Sequence, residues 1–198
     1  MKKVIATLIA VAGLSQGLFA QGTLAIDNLN GGGGLTNTSF GLFLNGDGTP
    51  YAAATLNLSV SGGASAGSLS PIATFTGANA MFGLFPGVFL DPVGGTYAVQ
   101  GVALGGNATL QVLAWRGSAA SYALAAPTDR FYANNGSALV DASQFTFVNP
   151  TGGAGTPPGT PRSMDGMPAM ALVVPEPSTI ALAGLGAAAL LMYRRRNN

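Results

Sequence analysis

Between residues 21 and 173 the charged side chains are six aspartates (Asp27, Asp47, Asp91, Asp129, Asp141 and Asp165) and three arginines (Arg116, Arg130 and Arg162). The chain has no histidine and no cysteine, and its lysines are Lys2 and Lys3. Ser-His-Asp, Cys-His and Schiff-base chemistry therefore have no residues to run on. Imidazole and thiolate metal sites are equally excluded. A glycosidase needs two carboxyl groups flanking a bond, and here both would be aspartates, because the one glutamate is Glu176. Most of the six stand beside Gly, Pro, Asn or Thr, where aspartate serves as a turn or cap residue. The expectation is a protein that is not an enzyme and carries no cofactor.

Three further patterns have chemical readings. Asn45-Gly46-Asp47-Gly48-Thr49 places oxygen side chains at alternate positions, as a calcium loop begins. A full EF-hand loop needs glycine at its sixth position and glutamate at its twelfth; Pro50 and Leu56 stand there, leaving a turn or a shared, weaker Ca²⁺ site. Trp115, Tyr51, Tyr97 and Tyr122 could stack sugars if two of the rings lay coplanar and exposed, and could equally be core or rim aromatics. Asn37, Asn57, Asn107 and Asn135 begin Asn-x-Ser/Thr triplets, as expected by chance in so Asn- and Thr-rich a chain.

The elements that must position these residues are short and β-rich. Candidate strands are 23–27, 39–44, 55–60, 72–76, 96–104, 108–115, 121–125 and 144–148, separated by glycine- and asparagine-rich turns. This spacing predicts an all-β fold, an antiparallel β-sandwich or jelly roll spanning 21–148. The clearest hairpin is 96–104 and 108–115 around Gly105-Gly106-Asn107, with Leu110, Val112 and Ala114 on one face. Residues 149–173 read as a Gly/Pro-rich linker, with 170–174 either its end or a last strand.

Both ends read as addresses. Lys2-Lys3, an apolar run from Val4 to Leu14 and a small residue at Ala20 make residues 1–20 a signal peptide with a signal helix. Cleavage between Ala20 and Gln21 fits best, with cleavage after Gly17 the alternative. At the other end Val174-Pro175-Glu176-Pro177 precedes an apolar stretch, Ser178–Tyr193, of 16 residues. As a helix that is roughly 24 Å long, a short single transmembrane span against a hydrocarbon core of about 30 Å. Arg194, Arg195 and Arg196 follow and hold that end in the cytoplasm.

Val174-Pro175-Glu176-Pro177-Ser178-Thr179, an apolar helix and a terminal arginine cluster, in that order over 174–198, resemble the PEP-CTERM sorting signal. The resemblance implies a precursor anchored in the inner membrane of a Gram-negative bacterium that makes exopolysaccharide. Its partners would be signal peptidase and an exosortase, a cysteine-type membrane enzyme that removes the tail at the motif. The body would then be released or transferred to the cell surface. Gly105–Trp115 also looks like a segment of the β-rich ectodomains that precede such tails, which implies no activity.

With both ends removed the body carries three arginines against six aspartates, 3 − 6 = −3. Such a charge does not attract a phosphate backbone, so nucleic acid is not an expected partner. The reading is an exported cell-surface or extracellular-matrix protein of structural or adhesive type. The alternative is a carbohydrate-binding module acting on exopolysaccharide, with polysaccharide as its partner.

Overall fold

The computed structural model describes residues 21–28, 41–52, 56–76, 86–91, 93–153, 160–173 and 192. The signal peptide with Ala20, the sorting motif Val174-Pro175-Glu176-Pro177, Arg194–Arg196 and, apart from Met192, the predicted 178–193 helix lie outside the described residues. Among the described residues no helix is long and apolar enough to cross a membrane.

Among the described residues ten strands follow in order: β1 (Gln21–Leu24), β2 (Phe43–Leu44), β3 (Asn57–Gly63), β4 (Ser70–Phe75), β5 (Tyr97–Ala103), β6 (Asn107–Trp115), β7 (Phe131–Asn134), β8 (Leu139–Val140), β9 (Phe147–Pro150) and β10 (Met170–Leu172). They form two four-stranded sheets, β4-β3-β6-β9 and β2-β10-β7-β8, and a ribbon, β1-β5. The β-rich, largely antiparallel expectation holds. One pair departs from it, since β10 runs parallel to β2 while pairing antiparallel with β7.

Period-two alternation selects the buried faces. Along β6 Ala108, Leu110, Val112 and Ala114 are buried, whereas Thr109, Gln111 and Leu113 are partly exposed. On β3, Leu58 and Val60 turn to the same core. Phe43, Phe131, Met170 and Leu172 reach it from the second sheet, and Leu24 and Val99 from the ribbon. Phe131 packs edge-on against both Phe43, at 5.3 Å between centroids, and Tyr51, at 5.1 Å. These are the favoured T-shaped geometries of aromatic pairs.

The predicted β5–β6 hairpin is not a hairpin. The β6 edges are taken by β3, from Asn57↔Trp115 to Gly63↔Thr109, and by β9, from Asn107↔Pro150 to Leu110↔Phe147. No edge remains for β5, which pairs with β1 instead. Gly105, at φ +68°, turns the chain from one sheet to the other. Residues 121–125, expected as a strand, hold a 3-10 turn, Tyr122–Leu124. Arg130 fixes it by donating to the carbonyls of Ala125 (2.9 Å) and Ala123 (2.6 Å).

Of the segment 149–173, the described residues 149–153 and 160–173 are packed, and the alternative of a last strand is met at Met170–Leu172. Asn149 and Thr151 are buried, as are Met164 and Met167, and Met170–Leu172 is an interior strand. The Ala25 amide donates to the Arg162 carbonyl at 2.8 Å and the Met164 amide to the Asp27 carbonyl at 3.1 Å. Glycine and proline here shape a packed, irregular return.

Candidate functional site

The last strand ends beside a shallow, open cleft of about 360 Å³, lined by Asn45, Gly46, Asp47, Arg116, Thr128, Leu172 and Val173. One wall is the turn read as the start of a calcium loop. It closes on itself: the Asn45 amide donates to the Thr49 carbonyl at 2.7 Å, and the Thr49 amide and hydroxyl donate to Asp47 Oδ1 at 3.0 and 2.6 Å. The Thr49 hydroxyl, then its amide, hold the Asp47 carboxyl below the usual carboxylate range. Among the described residues no cluster of three or more acidic side chains stands ready to hold a metal. On the other wall Arg116 Nε donates to Asp129 Oδ1 at 2.7 Å and the Arg116 amide to the Asp129 carbonyl at 2.9 Å. Both side chains are well exposed, so the pair fixes a loop more than it stabilises the fold.

The aspartates are bound into their own loops. Asp91 accepts from the Val93 and Gly95 amides and from the Tyr97 hydroxyl. Burial, then the bond to Asp91, pushes the Tyr97 phenol up to about 12. Asp141 caps the turn Ala142–Gln144 and accepts from the Ser143 amide (2.9 Å), the Ser143 hydroxyl (2.7 Å) and the Tyr122 hydroxyl (3.2 Å). Burial raises its pKa, but these donors outweigh burial and leave the carboxyl below its ordinary value. Asp165 meets Arg162 at 3.5 Å. The backbone draws the Asp27 segment against two others, through the Met164 amide on the Asp27 carbonyl (3.1 Å) and through the Asp91 amide on the Ile26 carbonyl (3.1 Å) beside the Asp27↔Leu90 bridge.

The four aromatics do not form an exposed platform. Trp115, Tyr51 and Tyr122 are buried, and Tyr97 is partly buried with its hydroxyl on Asp91. The Trp115 indole N–H donates to the Ala119 carbonyl at 2.7 Å, as a core tryptophan must. Arg130 lies over the Tyr122 ring at 5.2 Å. Of the Asn-x-Ser/Thr asparagines, Asn107 and Asn135 are exposed, Asn57 is buried, and Asn37 is outside the described residues. Gln21 is exposed and opens β1 opposite Ala103.

Three buried asparagines were missed in the sequence. Asn28 donates to the Gly41 and Gly87 carbonyls and accepts from the Phe89 amide. Asn57 donates to the Trp115 and Gly117 carbonyls. Asn149 donates to the Pro150 and Ser163 carbonyls and accepts from the Gly166 amide. Each takes up backbone groups where the chain enters or leaves regular structure: Asn28 at Gly41, Gly87 and Phe89, Asn57 at the end of β6 and Gly117, and Asn149 at the end of β9, Ser163 and Gly166. A signal for Asn149 exists: it shares inward parity with Phe147, so a polar residue falls where a core residue belongs.

The residues that can be read chemically thus serve the fold, and Leu172 passes straight into a segment of another kind. An exported β-rich protein with a C-terminal address is the class this defines. Residues 173–196 match the PEP-CTERM protein-sorting motif. The chain carries that motif, which marks an exported protein whose membrane-anchored precursor is processed by an exosortase-type enzyme for the cell surface. No curated protein and no solved structure matches the chain.

Proposed function

We propose that this is a non-enzymatic surface or matrix protein of structural or adhesive type, with a sandwich-like β body delivered by removal of its sorting tail. The observation that carries the reading is the sorting-motif match beginning at Val173, the residue after β10. The body supports a passive role: Asp47, Asp91, Asp129 and Asp141 each accept hydrogen bonds within or between their loops. Its surface is neutral to weakly acidic and rich in Gly, Ser, Thr and Asn, which suits contact with hydrated polymer. The carbohydrate-module alternative is left without the ring platform on which it depended.

Mass spectrometry of the protein from its native cells tests delivery. The mature species is expected to lack residues 1–20 and everything beyond the Pro-Glu-Pro segment. An intact C-terminus on the surface-exposed protein overturns sorting by cleavage and leaves a plain anchor. Cells lacking the chain are expected to lose adhesion or matrix cohesion, and unchanged adhesion and cohesion overturn the structural role.

A further inference from the structure

β10 is joined to the sorting motif with no spacer. The described fold runs through Leu172 into Val173, and Pro175 is three residues beyond Leu172. At about 3.4 Å per extended residue, three residues reach at most roughly 10 Å from the end of the sheet. A peptide-cleaving enzyme holds its substrate extended, pairing with the backbone on either side of the bond it cuts, as in strand addition. On the N-terminal side of this motif, the backbone available for that purpose is β10 itself.

That backbone is already used on both edges. Met170 N–H donates to the Leu42 carbonyl at 2.9 Å, and the Asn134 amide donates to the Ala169 carbonyl at 2.8 Å. β10 pairs with β2 through Met170↔Phe43 and Ala171↔Leu44, and with β7 through Met170↔Ala133, Ala171↔Tyr132 and Leu172↔Phe131. Both faces are closed as well: Met170, Ala171 and Leu172 are 1%, 9% and 5% exposed. With its edges paired and its faces covered, Met170–Leu172 offers an enzyme cleft little backbone, and of residues 170–173 Val173 alone is well exposed.

We propose that the sorting enzyme engages this chain only while β10 is out of its sheet. Residues 170–173 then serve first as the enzyme's extended recognition segment and afterwards as the strand that completes β2-β10-β7-β8. This rests on the reading that an exosortase-type enzyme cuts at the motif. In that step the acyl carbon passes to water or to an acceptor nucleophile, whose proton goes to the departing nitrogen, and the tail leaves as a free amine. Strand docking and cleavage compete for one set of backbone groups, so strand opening regulates processing of the folded precursor.

A cross-strand disulfide tests this directly. The chain has no cysteine, so Tyr132→Cys with Ala171→Cys adds one possible bridge, between residues paired in the ladder. Directly opposed residues have Cβ separations compatible with a disulfide. The full-length precursor is accumulated in cells lacking the sorting enzyme, oxidised, and checked for the bridge by non-reducing electrophoresis. The enzyme is then switched on and tail loss is followed by mass. The bridged precursor is expected to lose its tail at least tenfold more slowly than either single-cysteine variant, and reductant is expected to restore the rate. Tail loss at the single-variant rate overturns the proposal. A second arm needs no bridge: a ten-residue Gly/Ser spacer inserted after Val173 in the otherwise native chain is expected to accelerate tail loss from folded precursor. An unchanged rate overturns the proposal too. Failure of the native chain to lose its tail under any condition instead overturns the sorting reading itself.

Discussion

Replacing Asn149 with alanine removes three hydrogen bonds from a side chain that is 0% exposed. Its Nδ2 donates to the Pro150 carbonyl at 2.9 Å and the Ser163 carbonyl at 3.0 Å, and its Oδ1 accepts from the Gly166 amide at 2.7 Å. The Gly166 N–H loses its acceptor, and because Gly166 is itself exposed and water can replace the bond, the loss is about 0.5–1.5 kcal/mol. Each carbonyl loses one donor, at about 0.5–1 kcal/mol apiece, because a carbonyl oxygen has a second lone pair. The sum is about 2.5 kcal/mol, a large fraction of a domain stability of about 5–15 kcal/mol. For a body of about 150 residues this lowers Tm by about 8 °C, from an unfolding entropy of roughly 0.3 kcal/mol/K. The assay is built into the chain: its one tryptophan, Trp115, is buried, so unfolding shifts its emission to the red. A thermal melt of Asn149→Ala within about 2 °C of the native chain would refute the assignment of Asn149 as the staple of the 160–169 return.

Gly166→Ala probes the same junction from the other side. A Cβ there meets the Val148 carbonyl oxygen, a backbone atom that cannot step aside, so a loss of about 2 kcal/mol or more is expected in a urea titration. The Asp141–Tyr122 contact predicts limits at both ends of the pH scale. Asp141 has a lowered folded pKa, so its contribution is present above about pH 4, the unfolded carboxylate range, and fades as pH falls through the lower folded value. Asp141→Asn should flatten that acid limb in a pH series of melts. Tyr122 has a raised folded pKa, from burial first and the Asp141 charge second. Its contribution is therefore intact below about pH 10 and lost above it, and Tyr122→Phe should weaken that alkaline dependence. Glu176→Ala is expected to leave the tail attached, with the protein retained in the membrane fraction and the intact C-terminal mass recovered.

The parts of this chain read in line were legible in line. Val174-Pro175-Glu176-Pro177 is an address for another protein, so its meaning does not depend on folding. β6 was legible because its alternation is local, and Leu110, Val112 and Ala114 turn inward as spaced. Its partners were not, because β3 and β9 take its two edges from roughly 40 to 60 residues away and exclude β5 despite the glycine turn. Composition gave 149–173 a linker's look, with a strand at its end only as the alternative, because it counts apolar residues without weighing position. Met164, Met167 and Asn149 anchor a segment whose other residues are small or turn-forming. The aromatic platform failed for the opposite reason: tryptophan and tyrosine bury readily when a nearby acceptor takes the polar tip, as Ala119 does for Trp115.

The strand order carries a kinetic consequence for export. β3 and β4 are neighbours in sequence, but β1 waits for β5, β6 for β9, and β2 for β10, whose paired Phe43 and Met170 are 170 − 43 = 127 residues apart. Loop closure over such separations comes before most of the stabilising contacts, and folds of high contact order take milliseconds to seconds. A secretion channel admits unfolded chain, and this topology withholds the partners of β1, β2 and β6 until late in the sequence. Slow closure lengthens the interval over which the precursor is threadable.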